Sequence, residues 1–162
     1  MFTKMIVGYD GSEGSRVALA QAVDLMKLQP SIKLIVAYVN EDVFSGDIAY
    51  SHQPLVSTPT LTEMTAELPV PPNPSSPNQL AREYSNKMSE FIQLQFNKHN
   101  IEGQIVALNG HAAQALTNLA DQELADVILV GNSGKSGFQK FFVGSVSEKV
   151  VKDSPCTVIV VK

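Results

Sequence analysis

A chain of 162 residues with 44% hydrophobic and 17% charged residues has the material for one domain with a sizeable core, and its composition excludes a disordered polymer. Its net charge of −4, with Lys and Arg scattered, excludes the basic face of a phosphate-backbone binder, so no nucleic acid is expected as a partner. The longest apolar runs are of strand length and no signal peptide is visible, so no membrane association is expected and the cytoplasm is the expected compartment.

Lys4-Met5-Ile6-Val7-Gly8-Tyr9 reads as a first short strand, and it runs into Asp10-Gly11-Ser12. Ser12 is placed to cap a helix with an inward stripe of Leu19, Ala22, Val23 and Met26, with Glu13 in the first turn where a carboxylate suits the helix dipole. Pro30 disfavours helical geometry just before it, so the helix is expected to stop near Gln29. Ile32 to Val39 has no polar alternation, the pattern of a strand buried on both faces of a parallel sheet. Strand, helix and strand in this order make a βαβ unit.

The pattern breaks between Asn40 and Asn78. Seven of the nine prolines fall there among many Ser and Thr residues, which reads as a long loop or insertion with room for a helical turn or two at Leu61 to Leu68. A linker between domains is the alternative, but the residues before it are too few to hold a core of their own. Helical periodicity returns at Gln79, with Leu80, Tyr84, Met88, Phe91, Ile92 and Phe96 on one broad face, and Asn100 to Gly103 marks a stop. Those aromatic and Met positions read as core.

Gln104 to Asn109 is a third, weaker strand; Gly110-His111-Ala112 then turns into a helix carrying Leu116, Leu119 and Ala120. His111 has no partner at metal-ligand spacing and reads as a loop residue. Val127-Ile128-Leu129-Val130 is a fourth strand and Thr157 to Val161 a fifth, with a helix from Ser145 to about Asp153 between them. Cys156, the single cysteine, lies beside the last strand and is expected to pack there. Five apolar strands alternating with four helices predict a doubly wound, Rossmann-like α/β fold, one domain over residues 1–162.

The stretch that carries chemistry is GNSGKSGFQKFFVGSVS, Gly131 to Ser147. Gly131 and Gly134 follow a buried strand directly, and Gly144-Ser145 opens a helix nine residues later. The spacing G-x2-G-x9-G-S suits a di- or triphosphate held by backbone amides, because a glycine backbone can lie against a ligand and a helix N-terminus favours an anion. Gly134-Lys135-Ser136 imitates the end of a Walker A loop, but Leu129 stands where that motif needs its first glycine. Ser145 and Glu148 fit a capping box, which leaves other first-turn donors available. If the first and fourth strands flank the reversal of strand order, Asp10-Gly11-Ser12 and Gly131 to Gly134 become neighbours. Asp10 can then accept from a ribose hydroxyl or an exocyclic amine; alone it would read as an Asp-Gly turn.

KMIVGYDGSEGS, LADVILVGNSG and FVGSVSEKVVKDSPCTVIVV, together with the glycine spacing, resemble the universal stress protein family over nearly the whole chain. The resemblance implies a five-stranded parallel sheet of order 3-2-1-4-5, ATP as the ligand, and a homodimer joined edge to edge through the fifth strand. It places Asp10 and the backbone around Tyr9 and Val39 at the adenine and ribose, and Gly131, Gly134, Gly144, Ser145, Val146 and Ser147 at the ribose and phosphates. Gly11, Asn132 and Ser133 complete the two turns of this nucleotide site. The sequence departs from the family at Ser133, where Arg is frequent, leaving Lys135 or Lys140 as candidate replacements, and at Ala112, where Pro is frequent.

The expected function is therefore an ATP-binding regulatory protein of the stress response, with Mg²⁺ or Mn²⁺ held through the phosphates. Its nucleotide-dependent changes in loop order or dimer contacts would be read by a regulatory protein partner. No catalytic residue is assigned, since no group is evidently placed to position an attacking water, so at most slow ATP hydrolysis is expected. The alternatives are an interaction module of the same fold that binds no nucleotide, a slow ATP hydrolase, and an enzyme that adenylates substrates, of which the usual second motifs are missing.

Overall fold

The structure, a computed structural model, describes residues 2–40, 77–132 and 144–162. In chain order the elements are β1 (Lys4–Gly8), α1 (Glu13–Leu28), β2 (Lys33–Asn40), α2 (Pro77–His99), β3 (Gly103–Asn109), α3 (Ala112–Gln122), β4 (Val127–Gly131), α4 (Ser145–Asp153) and β5 (Thr157–Val161). The five strands form one parallel sheet of order β3-β2-β1-β4-β5. The expected Leu61–Leu68 turn and the Pro-rich stretch around it lie outside the described residues.

Continuous apolar strands are explained by two cores, one on each face. Met5, Val7, Leu34, Val36, Val127 and Leu129 point to the layer of α1 and α2, where they meet Leu19, Ala22, Met26, Ile92 and Phe96. Ile6, Ile35, Ala37, Ile128 and Val130 point to the other layer and meet Leu116, Leu119 and Ala120 of α3 and Val150 of α4. Alternate side chains therefore serve opposite cores, and a polar residue in either register would be stranded.

The helix boundaries follow from local chemistry. Ser12 caps α1, its hydroxyl accepting from the Ser15 N–H at 3.2 Å, and the helix gives way at Gln29 just before Pro30. Asn100, at φ 52°, ends α2 in the left-handed region that Asn tolerates better than most residues. The α4 cap differs from expectation. Gly144 occupies the cap position at φ −60° and ψ 153° with no side-chain hydrogen bond, and Ser145 is already helical, so the Ser145–Glu148 capping box is not formed.

The amino-terminal edge of the sheet is tied across the β1–β4 pair. One Asp126 carboxylate oxygen accepts from the Thr3 N–H, the Thr3 hydroxyl and the Lys4 N–H at 2.6, 2.6 and 2.8 Å. Lys4 also bridges to Glu123 at 3.0 Å. These contacts stand at the opposite end from the strand exits, so they fix the pairing of β1 with β4 without occupying the crevice.

Candidate functional site

The order β3-β2-β1-β4-β5 reverses direction between β1 and β4, which pair directly from Met5↔Val127 to Val7↔Leu129. Chains that leave adjacent parallel strands toward opposite layers must part, and the crevice between them is where doubly wound sheets bind ligands. Asp10 and Gly131, far apart in sequence, therefore sit at neighbouring strand exits, the arrangement on which the sequence reading depended.

On the β1 side the backbone turns sharply. Tyr9 is still held to the sheet by its N–H, which donates to the Ala37 carbonyl at 2.8 Å. Gly11 adopts φ +77°, and the Ser12 N–H donates back to Asp10 Oδ1 at 2.9 Å. Burial works to raise the Asp10 pKa, but hydrogen bonds from the Ser12 hydroxyl, the Ser12 N–H and Ser15 outweigh it, and the net shift is downward. The carboxylate is thus kept ionised at the mouth of the crevice, as an acceptor of ligand hydroxyl or amine donors.

The Tyr9 side chain points away into the α1–α2 layer, where its ring stacks on Phe91 with centroids 5.7 Å apart. Arg16 lies 5.3 Å over the same Phe91 ring, at cation–π range. Burial raises the Tyr9 pKa, with the Arg16 hydrogen bond opposing it. Sequence reading missed this trio: Phe91 was one member of an apolar stripe, and no motif includes Arg16. The available signal was spacing, since Arg16 stands one turn beyond the Ser12 cap and so returns toward the exit of β1.

On the β4 side Gly131 closes against α1. A Cβ there would lie 2.4 Å from the Gly14 carbonyl carbon, so the glycine is required by backbone packing. Asn132 continues the ladder, its N–H donating to Val161 at 2.8 Å, and its carbonyl accepts the Gly144 N–H at 2.6 Å. The Ser147 hydroxyl donates to the Gly131 carbonyl at 2.6 Å. Two hydrogen bonds thereby seat the first turn of α4 on the end of β4. Ser145 and Val146 are exposed beside this seat, Ser147 is buried in it, and Val39 is half-buried at the end of β2.

The structure brings together Tyr9, Asp10 and Gly11 at one exit with Gly131, Asn132 and Gly144 to Ser147 at the next, and Val39 ends the strand adjacent to β1. Ser133, Gly134, Lys135 and Lys140 lie outside the described residues. With no side-chain cap at Gly144, the first-turn amides of α4 are available to an anion. Among the described residues no group of three or more His, Cys, Asp or Glu side chains is placed to hold a metal ion.

Strand order and pairing together define a doubly wound α/β protein with its switch point between β1 and β4. The chain belongs to the universal stress protein family, whose model matches residues 1–162. It is 30% identical to the universal stress protein YxiE of Bacillus subtilis over 164 residues, covering 100% of both chains. Among solved structures, UspA of Lactobacillus plantarum superposes with a TM-score of 0.71 at 20% identity, covering 99% of this chain and 97% of that one. A universal stress protein of Arabidopsis thaliana, solved with AMP bound, matches with a TM-score of 0.63 at 14% identity over 99% of this chain and 91% of its own. A universal stress protein in complex with cAMP matches with a TM-score of 0.55 at 22% identity, covering 99% and 97%.

Proposed function

We propose that residues 1–162 act as one ATP-binding regulatory unit of the stress response, cytoplasmic and homodimeric through β5. The observation that carries the nucleotide reading is the seat of α4: an uncapped helix N-terminus, fixed to Asn132 and Gly131, directly beside the exit that carries the ionised Asp10. Phosphates suit the helix amides, and a ribose or adenine donor suits Asp10. Gly144, Ser145, Val146 and Ser147 would then face the phosphates, while Tyr9, Asp10, Gly11 and Val39 would face the nucleoside, with Ser133 and Gly134 completing the phosphate loop. The two neighbours solved with AMP and with cAMP support a nucleotide in a crevice of this fold.

A divalent cation, Mg²⁺ or Mn²⁺, would arrive on the phosphates and reduce their mutual repulsion. Occupancy would act by altering loop order or dimer contacts and so the surface offered to a protein partner. Turnover would be slow, far below the roughly 1–100 s⁻¹ of kinases.

Isothermal titration with ATP, ADP and AMP, with and without Mg²⁺, tests the reading directly. Saturable binding of ATP is expected. Gly144→Val should weaken ATP binding while leaving the circular dichroism spectrum intact, because φ −60° at this position suits any L-residue. Absence of binding by the wild-type protein to all three nucleotides would instead favour an interaction module with an empty crevice.

A further inference from the structure

At this crevice the Asn132 side chain stands out as unmatched. The residue is 9% exposed, and its Oδ1 has no hydrogen-bond partner among the described residues. A buried acceptor without a donor carries a desolvation penalty, and native proteins keep few of them, mostly where something further completes the site. The backbone of the residue is pinned on both sides, its N–H donating to the Val161 carbonyl and its carbonyl accepting from the Gly144 N–H. Strand alternation puts its side chain on the face shared by Ile128 and Val130, which is the layer of α4. The uncapped first turn of α4 begins one hydrogen bond away.

An acceptor set beside a row of N–H donors is poorly matched to a bare phosphate, whose oxygens carry only lone pairs. A hydrated divalent cation on that phosphate reverses the sign at the point of contact. Mg²⁺ accepts amide oxygens, retains several waters and is usually held by phosphates with few protein ligands. We infer that Asn132 Oδ1 contacts the hydration shell of the divalent cation in a metal–nucleotide complex, so that the crevice prefers the metal-complexed nucleotide to the free one. The inference rests on the nucleotide reading above and adds to it a specificity-determining residue. The amide is neutral, so Asn132 supplies a preference within the complex and not a separate metal site.

The test is titration of ATP into wild-type protein, Asn132→Ala and Asn132→Asp, each with excess Mg²⁺ and with a chelator. The quantity read is the ratio of the two dissociation constants, metal-free over metal-bound. Loss of an outer-shell partner commonly lowers metal affinity by 10- to 100-fold, and for a water-mediated contact the ratio should fall by about tenfold in Asn132→Ala. In Asn132→Asp it should rise, since a carboxylate attracts the cation and repels the uncomplexed triphosphate. A residue that only supports the fold would weaken both states equally, and an unchanged ratio in the two variants would overturn the inference. The nearly isosteric Asn132→Asp keeps the test decisive if Asn132→Ala fails to fold. Wild-type protein that binds ATP equally well in both conditions overturns this inference alone. Wild-type protein that binds ATP in neither condition overturns the nucleotide reading and takes this inference with it.

Discussion

A methyl group added at Gly131 would meet the Gly14 carbonyl carbon at 2.4 Å, its oxygen at 2.7 Å and the Ser15 nitrogen at 2.7 Å. All three are backbone atoms of the capped first turn of α1, so relief requires the helix to move away from β4. Gly131→Ala should therefore destabilise the protein by about 1–3 kcal/mol, the usual range for overpacking, read from urea unfolding midpoints. Wild-type stability in that variant would mean that α1 yields easily. The glycine spacing pointed to this residue, but not to its packing partner, because Gly14 lies outside the G-x2-G-x9-G-S pattern and the contact joins elements more than a hundred residues apart. Asp126 makes a second prediction. Hydrogen bonds from the Thr3 hydroxyl and from the Lys4 and Thr3 amides lower its pKa from 3.8 to about 2. A depressed carboxylate pKa contributes stability that is present above the unfolded value and lost as pH falls toward the folded one. The stability difference between wild type and Asp126→Asn should thus be constant above about pH 5 and shrink between pH 4 and pH 2. Thermal melts across that range check it, and a difference independent of pH would remove the carboxylate from the account.

At the scale of elements, α2 is the member whose attachment the sequence described least well. Its apolar stripe was legible, and Ile92 and Phe96 are buried as the periodicity requires. Its polar and aromatic fastenings were not, because each depends on a residue from another element: Tyr38 hydroxyl to Ser89 at 3.0 Å, Asn40 to Ser85 at 3.1 Å, and the Phe91 ring against both Tyr9 and Arg16. Met88 approaches the turn itself, lying 3.1 Å from where a Gly11 Cβ would stand. Thus α2 braces the loop that presents Asp10. Phe91→Leu keeps most of the apolar volume while removing both ring contacts, and should cost about 1–2 kcal/mol. If the nucleotide reading holds, this variant should also weaken ATP binding more than Leu94→Ala, a substitution at a position 60% exposed on the same helix. Equal affinities in the two variants would separate the brace from the site. The α4 cap teaches the complementary lesson. Ser145 followed three residues later by Glu148 satisfies the capping-box pattern, yet the helix begins at Ser145 as expected and the cap position falls one residue earlier, on Gly144, whose N–H donates to the Asn132 carbonyl.

For the whole molecule, the order of the strands was the expectation with most at stake, and periodicity alone could not supply it. Each apolar run showed burial on both faces, which fixes a layered parallel sheet but leaves its permutation open; the order came with the family resemblance. The permutation leaves β3 and β5 at the edges. β3 is the better protected in composition, with exposed Gln104 and Asn109 along it, whereas β5 is Thr157-Val158-Ile159-Val160-Val161 without a charge or a proline. An apolar edge of that kind is a template for pairing with another chain. Every residue of β5 after Thr157 is half-buried, where the corresponding residues of β4, Ile128 to Val130, are buried. The proposed homodimer would cover this edge in both subunits by the same contact, as a twofold interface requires. Sedimentation equilibrium should then give twice the 17.5 kDa chain mass. Val160→Lys, introducing a charge on the strand, should give a folded monomer, with circular dichroism confirming that the sheet survives. A dimer that persists in the folded variant would place the contact on another surface, and a monomeric wild type would mean that β5 remains an unpaired edge in solution.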